Sequence, residues 1–133
     1  PNAEWKRDNH PTFEFVITDT TQKYNILYNV RNTMDYEFSN IYMNFLLEDS
    51  VGALIYENQL QAFLFDKTGK PTGEKPFLFS EAISDIFDHH YLCLSHIQFK
   101  KGGKYRLKLK QYMRNQDPLK NIIAVGVRVE KSN

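Results

Sequence analysis

Residues 104–110 read KYRLKLK. Lys104, Arg106, Lys108 and Lys110 alternate with Tyr105, Leu107 and Leu109, and a period of two is that of a strand, whose successive side chains leave on opposite faces. Such a strand has a cationic face for water and an apolar face that needs covering. The same one-sided pattern recurs along the chain. "TFEFVIT" (12–18) sets Phe13, Phe15 and Ile17 on one side, "YNILYNV" (24–30) does so with Tyr24, Ile26, Tyr28 and Val30, and "IYMNFLL" (41–47) with Ile41, Met43, Phe45 and Leu47. "QLQAFLF" (59–65, after a longer connection), "YLCLSHIQF" (91–99) and "NIIAVGVRVEK" (121–131) complete the principal strands. Short strands with one apolar face bury it by stacking two antiparallel sheets. The expected fold is all-β, an antiparallel β-sandwich of about seven to eight strands, immunoglobulin-like or jelly-roll-like, with one or two short helical turns.

The connections carry their own signals. "DTTQK" (19–23) between the first two strands predicts a hairpin, and "DKTGKPTGEKP" (66–76), with two Gly and two Pro, predicts a loop. Helical turns are expected in "SEAISDIFDHH" (80–90) and "QYMRNQDPL" (111–119), where Pro118 disfavours helix at Asp117 and stops the second. Gly126 inside a β-branched strand predicts a bulge or a close approach by a neighbouring group. The length of 133 residues suits one domain. Residues 12–133 form it, and the polar residues 1–11, "PNAEWKRDNHP", read as a linker leading away from the body, with Trp5 folding back as a lid.

Hydrophobic residues at 41% and charged residues at 25% are ordinary for a globular chain, while 14% aromatic favours strands. No apolar run approaches the roughly 20 residues of a membrane-spanning helix. The net charge of +1 hides an asymmetry: residues 1–97 hold 7 Lys and Arg against 14 Asp and Glu, whereas residues 98–133 hold 10 against 2. The cationic face of 104–110 is either a solvated surface that discourages edge pairing or a docking surface for an anionic partner. With nearly balanced overall charge and no recognition motif, nucleic acid is not an expected partner.

Catalytic and metal signatures are sparse. Cys93 is the only cysteine and lies in an apolar strand, which suits a small buried hydrophobe better than a nucleophile. Glu81, Asp85 and Asp88, followed by His89 and His90, would share a helical face and could bind a divalent cation, although the same spacing describes the wet side of an amphipathic turn. Phosphate-loop, nucleophile-elbow and zinc-protease patterns are absent. No catalytic residue, metal or cofactor is therefore assigned. Arg31 and Arg114, beside Asn32 and Asn115, read as groups that tie loops together, with Asp19, Asp66 and Asp117 as possible partners, or as solvated cations. Tyr36, Tyr42 and Tyr56 are either a binding platform or rim packing.

Taken together, Trp5, "FEFVITDT" (13–20), "YNILYNVRNT" (24–33), "DYEFSN" (35–40), "DKTGKPTG" (66–73) and "QYMRNQDPLKNIIAVGVRVEK" (111–131) resemble the gliding-motility lipoprotein H family over almost the whole chain. The resemblance implies a Bacteroidetes-type cell-envelope protein, made with a lipoprotein signal and held to a membrane through an acylated cysteine upstream of Pro1, facing the periplasm or at the outer membrane. It brings no catalytic residue and no cofactor. Trp5, Asp19, Arg31, Asn32, Asn40, Met113, Arg114, Pro118, Leu119 and Gly126 become its structural signature. The expected role is protein contact, as a scaffold or accessory of motility or secretion machinery. The surface would be built on Lys104, Arg106, Lys108, Lys110, Tyr36 and Tyr42, with envelope or motility-machinery proteins as partners. The alternative is a carbohydrate- or peptidoglycan-binding β-sandwich module.

Overall fold

The computed structural model describes residues 3–73 and 86–133. Among them nine strands follow in order: β1 (Glu4–Trp5), β2 (Thr12–Ile17), β3 (Lys23–Thr33), β4 (Asn40–Asp49), β5 (Leu54–Phe63), β6 (Ile86–Gln98), β7 (Gly103–Gln111), β8 (Leu119–Lys120) and β9 (Ile122–Lys131). One antiparallel sheet has the order β2-β7-β4-β5, and a second has the order β6-β3-β9. Their inner faces supply the core of a β-sandwich. Alternation decides which residues enter it: Ile26 and Val30 of β3, Met43 and Phe45 of β4 and Leu107 and Leu109 of β7 are each 0% exposed. Between them Leu27, Asn44 and Lys108 face outward, as period two requires.

All seven principal strands are present, but several connections differ from expectation. β2 and β3 do not form a hairpin. The turn at 19–23 carries the chain from one sheet to the other, so β2 pairs β7 with Ile17 opposite Gly103, while β3 pairs β6 and β9. The anticipated long connection before β5 is instead a tight turn after Asp49, whose Oδ1 accepts the amides of Val51 and Ala53, and Gly52 supplies the positive φ of 87°.

No helix occurs among the described residues. Residues 80–85 of the first expected helical turn lie outside them, and Ile86–His90 are strand. The second, at 111–119, is an irregular crossover with a positive φ at Asn115 and a cis Asp117–Pro118 peptide. β7 is also not an edge strand, so its cations do not guard one.

The N-terminal segment is tied down instead of leading away. Trp5 is 3% exposed and opposite Leu119 of β8, and its Nε1–H donates to Asn9 O at 2.7 Å. The Arg7 amide donates to Asp117 Oδ1 at 2.9 Å and its guanidinium to Met113 O. The sequence therefore places Trp5 and the crossover at one end of the sandwich, and the β4–β5 turn and the β6–β7 connection at the other.

Candidate functional site

The cationic residues of β7 all emerge on the outer face of the four-stranded sheet, with β2 on one side and β4 on the other. Register fixes their neighbours: Lys104 is opposite Val16, Arg106 stands between Glu14 and Glu48, Lys108 between Thr12 and Leu46, and Lys110 beside Asn44. The face is consequently less cationic than the sequence of β7 alone. Arg106 Nη1 lies 3.9 Å from Glu14, and Lys108 Nζ lies 3.3 Å from Glu48. Surface pairs of this kind contribute about 0–1 kcal/mol. Their larger effect is to cancel the field at the middle of the stripe. Lys104 and Lys110, at its two ends, form no ion pair among the described residues.

The expected tyrosine platform does not form. Tyr36 is 5% exposed, in the core, with its hydroxyl donating to Asn40 O at 2.7 Å, and burial pushes that hydroxyl well above the ordinary phenol range. Tyr42 is half-buried on the outer face of β4, opposite Gln61. Tyr56 faces inward, edge-on to Phe45 at 5.8 Å. With Tyr36 buried in the β3–β4 connection and Tyr42 and Tyr56 on opposite faces of the four-stranded sheet, the three rings do not present a shared surface.

Arg31 and Asn32 sit on adjacent positions of β3 and lead to opposite surroundings. Arg31 binds none of Asp19, Asp66 or Asp117. Its Nε and Nη2 donate to the two carboxylate oxygens of Asp88 at 2.6 and 2.9 Å, a two-pronged pair across β3 and β6 that holds the guanidinium charged. Asp19 and Asp66 each close their own turn through Thr21 and Thr68, which draws both carboxyls below the usual range. Asn32 is 0% exposed, and its Oδ1 accepts from His89 Nε2–H at 2.7 Å. The other nitrogen of His89 faces the hydroxyls of Thr72 and Tyr91 at 3.3 and 3.4 Å. Burial lowers the His89 pKa to about 4, which keeps the ring neutral. Gly73 closes over this group: a Cβ there would lie 2.7 Å from the imidazole.

The remaining signature residues are placed as follows. Met113 is buried, with its sulfur accepting the Tyr42 amide at 3.4 Å. Asn40 Nδ2 donates to Gln61 Oε1 at 2.7 Å. Leu119 is buried against Trp5, Pro118 is half-buried, and Arg114 is exposed with no ion pair among the described residues. The close approach expected at Gly126 is made by the Asn29 side chain opposite it on β3.

The metal reading falls partly outside the described residues. Glu81 and Asp85 lie outside the described residues, Asp88 is engaged by Arg31 and His89 by Asn32, while His90 points away from His89 to solvent. No group of three potential metal-ligating side chains converges among the described residues. Burial raises the Cys93 thiol to about 12, the wrong direction for a nucleophile. The Asn32–His89 pair was missed in sequence, yet a signal was present. Phe87, His89 and Tyr91 keep period two, which carries a histidine onto the buried face.

The structure thus defines a small all-β module whose polar side chains are spent on internal ties and on one broad outer face. The chain belongs to the GldH lipoprotein family, whose profile matches residues 1–129. It is 29% identical, over 98% of its own length and 79% of the relative, to the gliding motility lipoprotein GldH homolog of Christiangramia forsetii. It is 27% identical, over 98% and 80%, to the gliding motility lipoprotein GldH of Flavobacterium johnsoniae. Lipoprotein membership implies a membrane-anchored envelope protein, and neither relative's name carries an enzymatic activity.

Proposed function

We propose that this chain is a non-catalytic member of the motility or secretion machinery of the envelope, facing the periplasm or at the outer membrane. It works by protein contact through the outer face of the β2-β7-β4-β5 sheet. The observation that carries the reading is the distribution of charge on β7. Lys104 and Lys110 are left without ion pairs among the described residues, at opposite ends of a three-strand-wide face whose middle is neutralised by Glu14 and Glu48. Two separated cations on one sheet face fit an acidic protein surface with matching spacing, and such rim charges govern encounter rate and register.

Affinity capture of the lipid-anchored protein from its own cells, followed by mass spectrometry, tests this. Lys104→Glu/Lys110→Glu is expected to cut recovery of motility or secretion components about tenfold, as loss of two charge contacts would. Lys67→Glu/Lys70→Glu, on an exposed turn elsewhere, leaves recovery unchanged. Equal recovery with both variants would exclude the outer face. Recovery of glycan or glycan-processing proteins instead would move the assignment to a carbohydrate-binding module.

A further inference from the structure

The two sheets are joined unevenly along one side. Among the described residues, β5 and β6 are edge strands of different sheets. Near Phe63 they are fastened, since the hydroxyls of Tyr91 and Thr72 both donate to Phe63 O at 2.7 Å. At the other end, between the β4–β5 turn and the β6–β7 connection, they enclose an open cleft of about 670 Å³. Leu47, Tyr56, Leu94, Ile97, Phe99 and Tyr105 line it. Its volume is in the range of small-molecule sites, roughly 300–1,000 Å³.

The mouth is unlike the walls. Lys100, Lys101 and Lys104 stand there without ion pairs among the described residues. The one acid in the lining, Asp49, has its Oδ1 occupied by the amides of its own turn. Beside the mouth, Val51, Leu54 and Ile55 are 84, 51 and 51% exposed, a concentration of apolar surface with no partner among the described residues. Apolar depth, a cationic rim and an apolar lip together describe a long apolar chain that ends in a negative charge.

We propose that this cleft binds a single fatty-acyl chain with an anionic head group, the chain lying between the sheets and the head group meeting Lys100, Lys101 and Lys104. Burial of methylenes supplies affinity that grows with chain length, and the lysines select the sign of the head group. The described N-terminal segment, from Trp5 to Pro11, does not fill the cleft. The cleft lies at the Ile17 end of β2, whereas Pro11 and Trp5 lie beyond its other end, where Pro11 O accepts the Leu109 amide at 3.0 Å.

The test is fluorescence titration of the purified chain with cis-parinaric acid, then displacement by hexadecanoate, decanoate and hexadecylamine. Saturable one-to-one binding is expected, with hexadecanoate displacing about tenfold better than either of the others. Ile55→Asp and Lys100→Glu/Lys101→Glu, all at exposed positions, should each weaken binding about tenfold while the far-ultraviolet circular dichroism and melting temperature stay within error. If Ile55→Asp does not fold, the lysine variant and the chain-length series decide. Absence of saturation, equal displacement by all three amphiphiles, or affinity unchanged in the lysine variant would overturn the proposal. Co-sedimentation with phosphatidylglycerol vesicles without saturable parinarate binding would also overturn it, and would assign the exposed lip to membrane docking. The variants spare Lys104 and Lys110; because Lys104 also lines the cleft, Lys110→Glu alone, beside Asn44 and away from the cleft, reads the outer face separately.

Discussion

His89 and Asn32 form a polar contact that is out of water, the Nε2–H of His89 donating to Asn32 Oδ1. Replacing Asn32 by Leu strands the Nε2–H of His89, and a buried donor left without a partner costs about 1–3 kcal/mol; thermal or urea unfolding reads that loss directly. The pair also sets a pH dependence. His89 has a pKa of about 4 in the folded chain against an ordinary 6.5. Between those values the unfolded chain takes up a proton that the folded chain refuses. Stability contributed by this group is therefore complete above about pH 6.5 and falls as the pH drops toward 4, by about 1.4 kcal/mol per pH unit at the steepest. The melting temperature of the native chain should fall across that window, and His89→Gln should flatten the fall; an unchanged slope would mean that another group titrates there. Arg31 teaches a different point about what can be read from sequence. The guanidinium's fork of donors left a tie to a carboxylate and a solvated cation both open in sequence, and Asp88, the carboxylate it grips, lies 57 residues away across the β3–β6 pairing with no local pattern pointing to it.

At the scale of elements, strands were legible because the sandwich buries one face of nearly every strand, so period two is written into β2, β3, β4 and β7. Strand partners were not legible. A five-residue turn such as 19–23 serves equally to reverse a strand within one sheet or to carry it across to the other, and the choice depends on which apolar faces meet in the core. Residues 86–90 failed for a related reason. Ile83, Ile86 and Phe87 fit helical spacing while Phe87, His89 and Tyr91 fit strand spacing, and only pairing with β3 decides for strand. Two glycines give a sharp contrast to measure. A Cβ on Gly73 would lie 2.3 Å from the Asp88 carbonyl, which is fixed backbone, whereas one on Gly126 would meet the movable Oδ1 of Asn29 at 2.5 Å. Gly73→Ala should destabilise by more than about 2 kcal/mol, and Gly126→Ala by less than about 1 kcal/mol, with the latter reduced further in the Asn29→Ala background. Equal costs in denaturant melts would contradict the packing described for His89. Leu109→Ala, deep in the core on β7, should cost about 2–5 kcal/mol, far more than any lysine on the opposite face of the same strand.

The whole molecule explains why the charge asymmetry of the sequence overstated the site. The cations of residues 98–133 do not gather into one basic region. Some are paired across strands, Lys110 stands at one end of the outer face, Lys104 stands where that face meets the cleft, and Lys100 and Lys101 turn to the cleft. Sequence reading located the outer face through β7 and the family through the 111–131 segment, but it could not see the cleft, whose walls come from strands far apart in the chain. The central claim, that the outer face of the β2-β7-β4-β5 sheet is where a protein partner sits, is tested most directly by site-specific photocrosslinking in the native cells. A benzophenone side chain is placed at Lys104, at Lys110 and, for comparison, at the exposed Lys70. The account predicts a discrete protein adduct from both β7 positions and none from Lys70; adducts absent from β7, or equally abundant at all three positions, would contradict it.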